Sequence, residues 1–438
     1  MDNSLAQKQP APAAPADLEK LRAKVIFACT IGGALEWFDF GLYGLFALYI
    51  GKTFFPAGNS TVSLIIVFST YALGFVVRPL GALLIGRYAD RQGRKKALSL
   101  SMLMMAVGML IMVVTPSYAS IGIASPLIIM AARIIQGLST GGEIGGALSF
   151  LVETAPAEKR GYYASFQQLS QTGSFILAGG TVWALTALLG EHLITSGAWR
   201  IPFAFGLLIA PLGYYVRRQL DETPLFEQQL AGGTTPHSPL SEAFTHNLPE
   251  LLCGIGIVAL WTACSKITSS FMPAYAVKEL HMSIDSPYLG LLAVGIALLG
   301  APWVGKLADR VGRKILMCGS AALMILTVYP SFWILDHFRT PWVLIAQQFF
   351  LGVLMVIYSG PASAMLAELF PTRTRSTAVG ASYNISVTVF GGFAPLFATL
   401  LVEWTGDPKS VALYFILAGV LSLVSVWLAP DKTGRVID

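Results

Sequence analysis

Of the 438 residues in this chain, 55% are hydrophobic and only 12% charged, about half the charge share of an ordinary soluble protein. A mean hydropathy of +0.65 excludes a soluble multidomain architecture, because the apolar surface exceeds what buried cores could use, so lipid has to be the solvent for most of the chain. The net charge of +5 matters less than where its charges sit.

The chain opens with a segment rich in Ala and Pro, expected to be a disordered cytoplasmic N-terminus over residues 1–23. It has neither the basic start nor the apolar core of a signal peptide, so the first apolar stretch is expected to remain as a membrane helix. Apolar stretches of spanning length then follow near 24–50, 62–87, 97–115, 126–153, 161–189 and 199–217. A charged, flexible connection over 218–248 (DETPLFEQQ, then GGTTPHSP) divides the chain almost in half. Six more stretches lie near 249–277, 287–306, 315–334, 341–367, 375–402 and 410–429, before a tail at 430–438. The expectation is an all-α membrane protein: twelve transmembrane helices in two pseudo-symmetric six-helix bundles, 24–217 and 249–429.

With both termini placed in the cytoplasm, 21 basic residues fall on the cytoplasmic side and five (Lys52, Arg200, Lys278, Arg339, Lys409) on the other. That asymmetry fixes the expected orientation. Three more basic residues, Arg78, Arg133 and Lys266, lie inside expected spans.

The halves repeat. Gly86-Arg-Tyr-Ala-Asp90-Arg-Gln-Gly93-Arg94-Lys95 recurs as Gly305-Lys-Leu-Ala-Asp309-Arg-Val-Gly312-Arg313-Lys314, an offset of 309 − 90 = 219. Glu153, Pro156 and Arg160 recur as Glu368, Pro371 and Arg375, an offset of 368 − 153 = 215. Both pairs fall in corresponding loops, after the second and the fourth helix of each half.

These repeated G-x-x-x-D-R-x-G-R-K loops resemble the signature of the major facilitator superfamily, whose paired repeats rock about a midplane site. A narrower set resembles its metabolite:proton symporters, which include carriers of citrate, α-ketoglutarate, shikimate, and proline or betaine. That set is Glu36-Trp37-Phe38-Asp39-Phe40, Arg78-Pro79-Leu80-Gly81, Gln136-Gly137 with Gly141-Gly142-Glu143, Trp199-Arg200-Ile201-Pro202-Phe203 and Glu222-Thr223-Pro224. The resemblance implies proton-coupled symport without naming the substrate.

Ionisable groups inside a bilayer are costly unless paired or hydrated, so each is a functional candidate. Asp39 and Glu36, three apart on one face of the first helix, suit proton coupling; the competing reading is an ion pair with Arg78 or Arg133. Glu143 sits in a Gly-rich run and is expected to pair with Arg78, either sensing protons or bracing the half, and the run itself could be helix packing. The resemblance implies that helices one, four, seven and ten line the cavity, so Arg133 and Lys266 are candidates to hold a carboxylate substrate, Arg133 as a fork and Lys266 as a point charge. The competing reading makes Lys266 one side of a gate. Gln167, Gln168, Gln171, Tyr358, Ser359, Tyr383 and Asn384 complete the candidate site, although most such residues only bond neighbouring helices. The resemblance further implies that Asp90, Arg94, Asp309 and Arg313 gate the cytoplasmic side, with Glu153–Arg160 and Glu368–Arg375 as added pairs; a purely topogenic role would leave the fixed Asp and Gly unexplained.

The four cysteines read as small buried hydrophobes. There is no GxxxxGK[ST], and no nucleophile–base constellation appears, so neither ATP coupling nor enzymatic chemistry is expected. No cofactor or metal is expected beyond the proton gradient, and no nucleic-acid partner. The chain is expected to be a monomeric symporter of a small organic acid in the cell inner membrane. The alternatives are a carrier of a zwitterionic osmolyte and a non-transporting solute sensor.

Overall fold

The computed structural model describes residues 37–207, 248–283, 286–370 and 375–435, apart from positions 93, 142 and 154, together with residues 26, 30 and 34; side chains at 86–99 and at a few other positions are outside that description. Glu36 and the segments 1–23 and 218–247 therefore lie outside the described residues, as do the side chains of Asp90, Arg94, Glu143 and Glu153.

The described residues are helical almost throughout. In the first half, α1 covers 37–45 and Ala47–Phe54, α2 runs as Ser60–Val76 and Arg78–Gln92, α3 is Arg94–Val114, and α4 is Ala124–Thr140 followed by Glu143–Glu153. A single turn, Arg160–Ala164, leads into α5 (Phe166–Thr195), and α6 begins at 201–207. In the second half, α7 is Leu248–Lys266, a π turn at Ile267–Phe271, and Met272–Lys278. Next come α8 (Ser286–Leu298 and Ala301–Val311), α9 (Arg313–Phe338) and α10 (Pro341–Leu369). Then α11 runs Arg375–Ser386, a π turn at Val387–Gly392, and Ala394–Thr405; α12 is Val411–Leu428. Seven of these helices are long and apolar enough to cross a membrane singly, and an eighth is α8, bent by 40° between its two pieces.

Local signals set the ends. The Asn59 side chain accepts from Thr61 N at 2.7 Å to start α2, and Thr340 followed by Pro341 starts α10. Gly312 joins α8 to α9 with φ +105°, a conformation that favours glycine.

Burial is inverted relative to a soluble protein. Leu188, Leu326 and Trp342 are 82%, 72% and 80% exposed, whereas Asp39 and Arg133 are fully buried. That arrangement suits lipid outside and paired polar groups inside. Within the first half α4 packs on α2 and α3; within the second, α10 packs on α8 and α9, and α12 on α7 and α9. The halves meet through α5 against α8 and α4 against α11. Gly179 of α5 sits on Leu291, and Gly295 of α8 on Ile176, so small residues admit the opposing helix.

The α2–α4 crossing brings backbone close to backbone. Arg133, Gly137 and Gly141 fall every fourth residue on one face of α4. A methyl group on Gly137 would drive into the Gly74 carbonyl, and one on Gly141 into that of Arg78. The glycine run expected either to pack or to serve chemistry does pack, at least through Gly141.

Candidate functional site

Asp39 and Arg133 form a buried ion pair between α1 and α4, with Arg133 Nη1 donating to Asp39 Oδ2 at 3.1 Å. The contact is single: Asp39 Oδ1 and Arg133 Nε and Nη2 have no hydrogen-bond partner among the described residues. The guanidinium also lies over the Tyr43 ring, 4.2 Å from its centroid, one helical turn beyond Asp39. Of the two partners open to Asp39 in the sequence, the structure gives it Arg133, which is thereby drawn to a carboxylate of the protein itself.

Arg78 sits where the two segments of α2 join, buried in an aromatic shell. Its guanidinium carbon lies 4.8 Å from the Trp37 centroid, 4.6 Å from Phe40 and 4.3 Å from Phe75. Lys266 reaches the same shell from the other half, with Nζ 4.0 Å from Trp37 and 5.7 Å from Phe75. Two cations from opposite halves thus share two aromatic rings. Glu143 begins the second segment of α4 beside this point, but its expected pairing with Arg78 lies outside the described residues.

Both π turns abut α2. In α7, the Ser270 and Tyr71 hydroxyls are 3.2 Å apart, and Gly44 of α1 packs against Ser270. In α11, Thr388 Oγ1 donates to the Phe75 carbonyl at 2.8 Å, while Gly392 rests against the Phe75 ring. A π turn carries one surplus residue and is common at functional positions.

The uncharged candidates separate into two kinds. Gln171 Nε2 donates to Tyr383 O–H at 2.8 Å and Asn384 Nδ2 to the Gly141 carbonyl at 2.8 Å, so both bonds stitch the halves. Tyr358 donates to the Ile257 carbonyl at 2.8 Å, inside its own half. Gln168, by contrast, is fully buried with neither amide atom hydrogen-bonded among the described residues, and the Ser359 hydroxyl is likewise without a partner. The rings of Trp37, Phe75 and Trp261 were not among the candidates, although Trp37 stood inside a quoted motif. Trp261 packs edge-on against Tyr383, 5.5 Å between centroids. Aromatic residues are so common in apolar helices that only the cations beside Trp37 and Phe75 mark those two.

At the end carrying the basic loops, the second half grips the first. Asp309 accepts from Gly161 N at 2.8 Å and Tyr162 N at 2.9 Å, and Arg313 holds Asp309 at 3.1 Å. Glu368 pairs with Arg313 and, at 3.6 Å, with Arg160. This corrects the expected Glu368–Arg375 pair: Arg375 Nε donates instead to the Ala367 carbonyl at 3.0 Å. The helix end turns Glu368 toward the start of α9 and toward the other half, so its charge is shared between Arg313 of its own half and Arg160 of the opposite one.

Comparison with known proteins agrees with this arrangement. Residues 25–231 match the family described as Sugar (and other) transporter, and residues 288–436 match the Major Facilitator Superfamily. The citrate-proton symporter of Klebsiella pneumoniae is 33% identical over 92% of this chain and 91% of its own length. The proline/betaine transporter of Salmonella typhimurium is 35% identical over 93% of this chain and 83% of its own. In fold, the chain is similar to the xylose transporter XylE of E. coli in a partially occluded inward-open conformation, with a TM-score of 0.75 at 17% identity, covering 95% of this chain and 100% of that one. A buried charge layer between two gripping halves, relatives matched along nearly their whole length and a shared fold together make this chain a member of the major facilitator superfamily, a membrane transporter and not an enzyme.

Proposed function

We propose that this chain is a proton-coupled symporter that imports a small organic acid, a di- or tricarboxylate of the citrate or α-ketoglutarate kind, by alternating access. It would cross the cell inner membrane twelve times as a monomer, in two six-helix bundles (24–217 and 249–429) joined by a linker at 218–248, with both termini cytoplasmic. The observation that carries the substrate class is the meeting of Arg78 and Lys266 on Trp37 and Phe75. Two cations from opposite halves invite an anion that bridges them, and such a bridge would draw the halves together around the substrate. Gln168 would supply hydrogen bonds to it.

Asp39 would carry the proton. Protonation removes the charge that Arg133 binds, and a single-point pair is easier to open than a two-point fork. The ion-pair and proton-coupling readings of Asp39 thereby become two states of one switch, with Glu36 and Glu143 as the other carboxylates of that layer. The groups around Asp309, Arg313, Glu368 and Arg160 would be the cytoplasmic gate, with Asp90, Arg94, Glu153 and Arg375 as their counterparts.

A second reading, a carrier of a zwitterion such as proline or betaine, draws on the proline/betaine relatives and on the aromatic shell, which is of the kind that binds quaternary ammonium groups. Against it, the faces of Trp37 and Phe75 already hold cations of the protein. Counterflow in proteoliposomes with labelled citrate, α-ketoglutarate, shikimate and betaine, with and without a pH gradient, separates the two. Uptake of a carboxylate that needs Lys266 supports the first reading, and betaine uptake that survives Lys266→Ala would sink it.

A further inference from the structure

We propose that the segment following α12 is a strap that fastens the two halves together at the basic-loop end. A chain leaving its last helix ordinarily runs into solvent. Here it turns back. Asp431 Oδ1 accepts from Thr433 N at 3.0 Å and from Thr433 Oγ1 at 2.6 Å, Arg435 N donates to the Lys432 carbonyl at 3.1 Å, and Gly434 supplies φ +73°. The start of the segment is anchored to its own half, where Lys314 Nζ of α9 donates to the Ala429 carbonyl at 3.1 Å. Its far end crosses to the other half: the Arg435 carbonyl accepts from Arg160 Nη1 at 2.6 Å.

Arg160 is buried, and the same Nη1 faces Glu368 at 3.6 Å. One guanidinium of the first half is therefore shared by a carboxylate of α10 and a backbone carbonyl of the tail. The strap works through the carbonyl, so the side chain at 435 is immaterial, while the turn built by Asp431 and Gly434 decides whether that carbonyl arrives. Parting of the halves at this end has to break the strap as well as the Asp309 bonds. The strap thus biases the balance between closed and open forms, and its meaning for transport rests on the alternating-access reading.

The test uses the full chain in nanodiscs without substrate, its four cysteines replaced and spin labels placed at Glu158→Cys and Arg310→Cys, exposed positions on either side of the gate. Ending the chain at Pro430, or introducing Asp431→Ala or Gly434→Val, is expected to raise the open-to-closed ratio on the order of tenfold, the worth of one charge-assisted hydrogen bond. Arg435→Ala is expected to leave it unchanged. Distance distributions for Asp431→Ala and Gly434→Val that superimpose on the parent overturn the strap, even if the shortened chain fails to fold. Because no substrate is present, a shift in these distances stands even if every uptake assay is negative, which would remove the symport reading alone.

Discussion

Lys266 places its ammonium 4.0 Å from the centre of the Trp37 ring, joining a lysine of the second half to a tryptophan of the first. Trp37 lies between this cation and the Arg78 guanidinium at 4.8 Å. Cation–aromatic contacts of this kind are worth about 0.5–2 kcal/mol each. Trp37→Leu removes two of them and leaves both charges in place. It is expected to raise the KM for the transported anion about 3- to 30-fold, with protein yield unaffected. Concentration-dependent counterflow measures this, and an unchanged KM would show the ring to be packing only.

The Asp39–Arg133 pair predicts a stability pattern as well as a transport phenotype. Asp39→Asn is expected to abolish uptake driven by a pH gradient while leaving exchange, and driven uptake that persists makes Asp39 structural. Leaving one buried charge without its partner costs about 3–5 kcal/mol. Either Asp39→Asn or Arg133→Gln alone should lower the melting temperature in detergent, and the double substitution should recover part of the loss. Simple additivity of the two effects would show the pair to be energetically idle.

The Asp309 carboxylate ties two backbone N–H groups of the opposite half, and charge-assisted bonds are worth about 1.5–3 kcal/mol each. Asp309→Asn keeps the size but loses the charge. It is expected to raise labelling of a cysteine at Glu158 by a membrane-impermeant maleimide more than tenfold. Glu368→Gln should act in the same direction, because Arg160 loses its carboxylate and Arg313 is left with Asp309 alone. Labelling that stays at the parental rate would mean that the gate is held elsewhere.

Two glycines of α4 should respond oppositely to one added methyl. Gly141→Ala pushes against the Arg78 backbone carbonyl, whereas Gly146 has no neighbour among the described residues within 4 Å of an added Cβ. The first is expected to cost about 1–3 kcal/mol by overpacking and the second close to nothing. Thermal unfolding of the two variants side by side checks the contrast.

The strap has its own pH window. Burial of Asp431 would raise its pKa, but the two Thr433 bonds and the charges of Arg313 and Lys314 outweigh it and hold the carboxyl below its ordinary value. A carboxylate depressed in this way contributes fully above its unfolded pKa, and the contribution is lost as pH falls through the lower, folded one. The difference in gate opening between the parent and Asp431→Ala should therefore be constant from about pH 8 to about pH 5 in an Asp39→Asn background. A transition near neutral pH in that background would show that another group controls the gate.

How much of this could be read from the chain alone depends on how local the determinants are. Hydropathy placed the described helices of the second half within about five residues, as at 315–334, which the structure extends to Arg313–Phe338. The cost of burying charge singled out Asp39, Arg78, Arg133 and Lys266 without any structure. Partner choice was less legible, because it is decided across helices. Asp39 had two arginines within reach of the argument, and only the crossing of α1 with α4 selects Arg133. Glu368 lies seven residues before Arg375 in the sequence, yet its partners are Arg313 and, across the interface, Arg160. The π turns left no trace, since Ile267–Phe271 and Val387–Gly392 differ from ordinary helix only in which carbonyl each N–H finds. The aromatic shell was hidden by abundance.

Those two π turns give the second half a one-residue shim in each of two helices. Deleting Ser269 would let α7 relax to regular helix while the residues beyond it keep their facing, because a π turn absorbs its surplus residue locally. Tyr275, whose hydroxyl reaches the Pro408 carbonyl at 3.2 Å, would then stay on the side of that partner. Single-residue deletions within the π turns of α7 and α11 should accordingly damage the protein far less than deletions in the regular turns on either side, which rotate everything beyond them by about 100°.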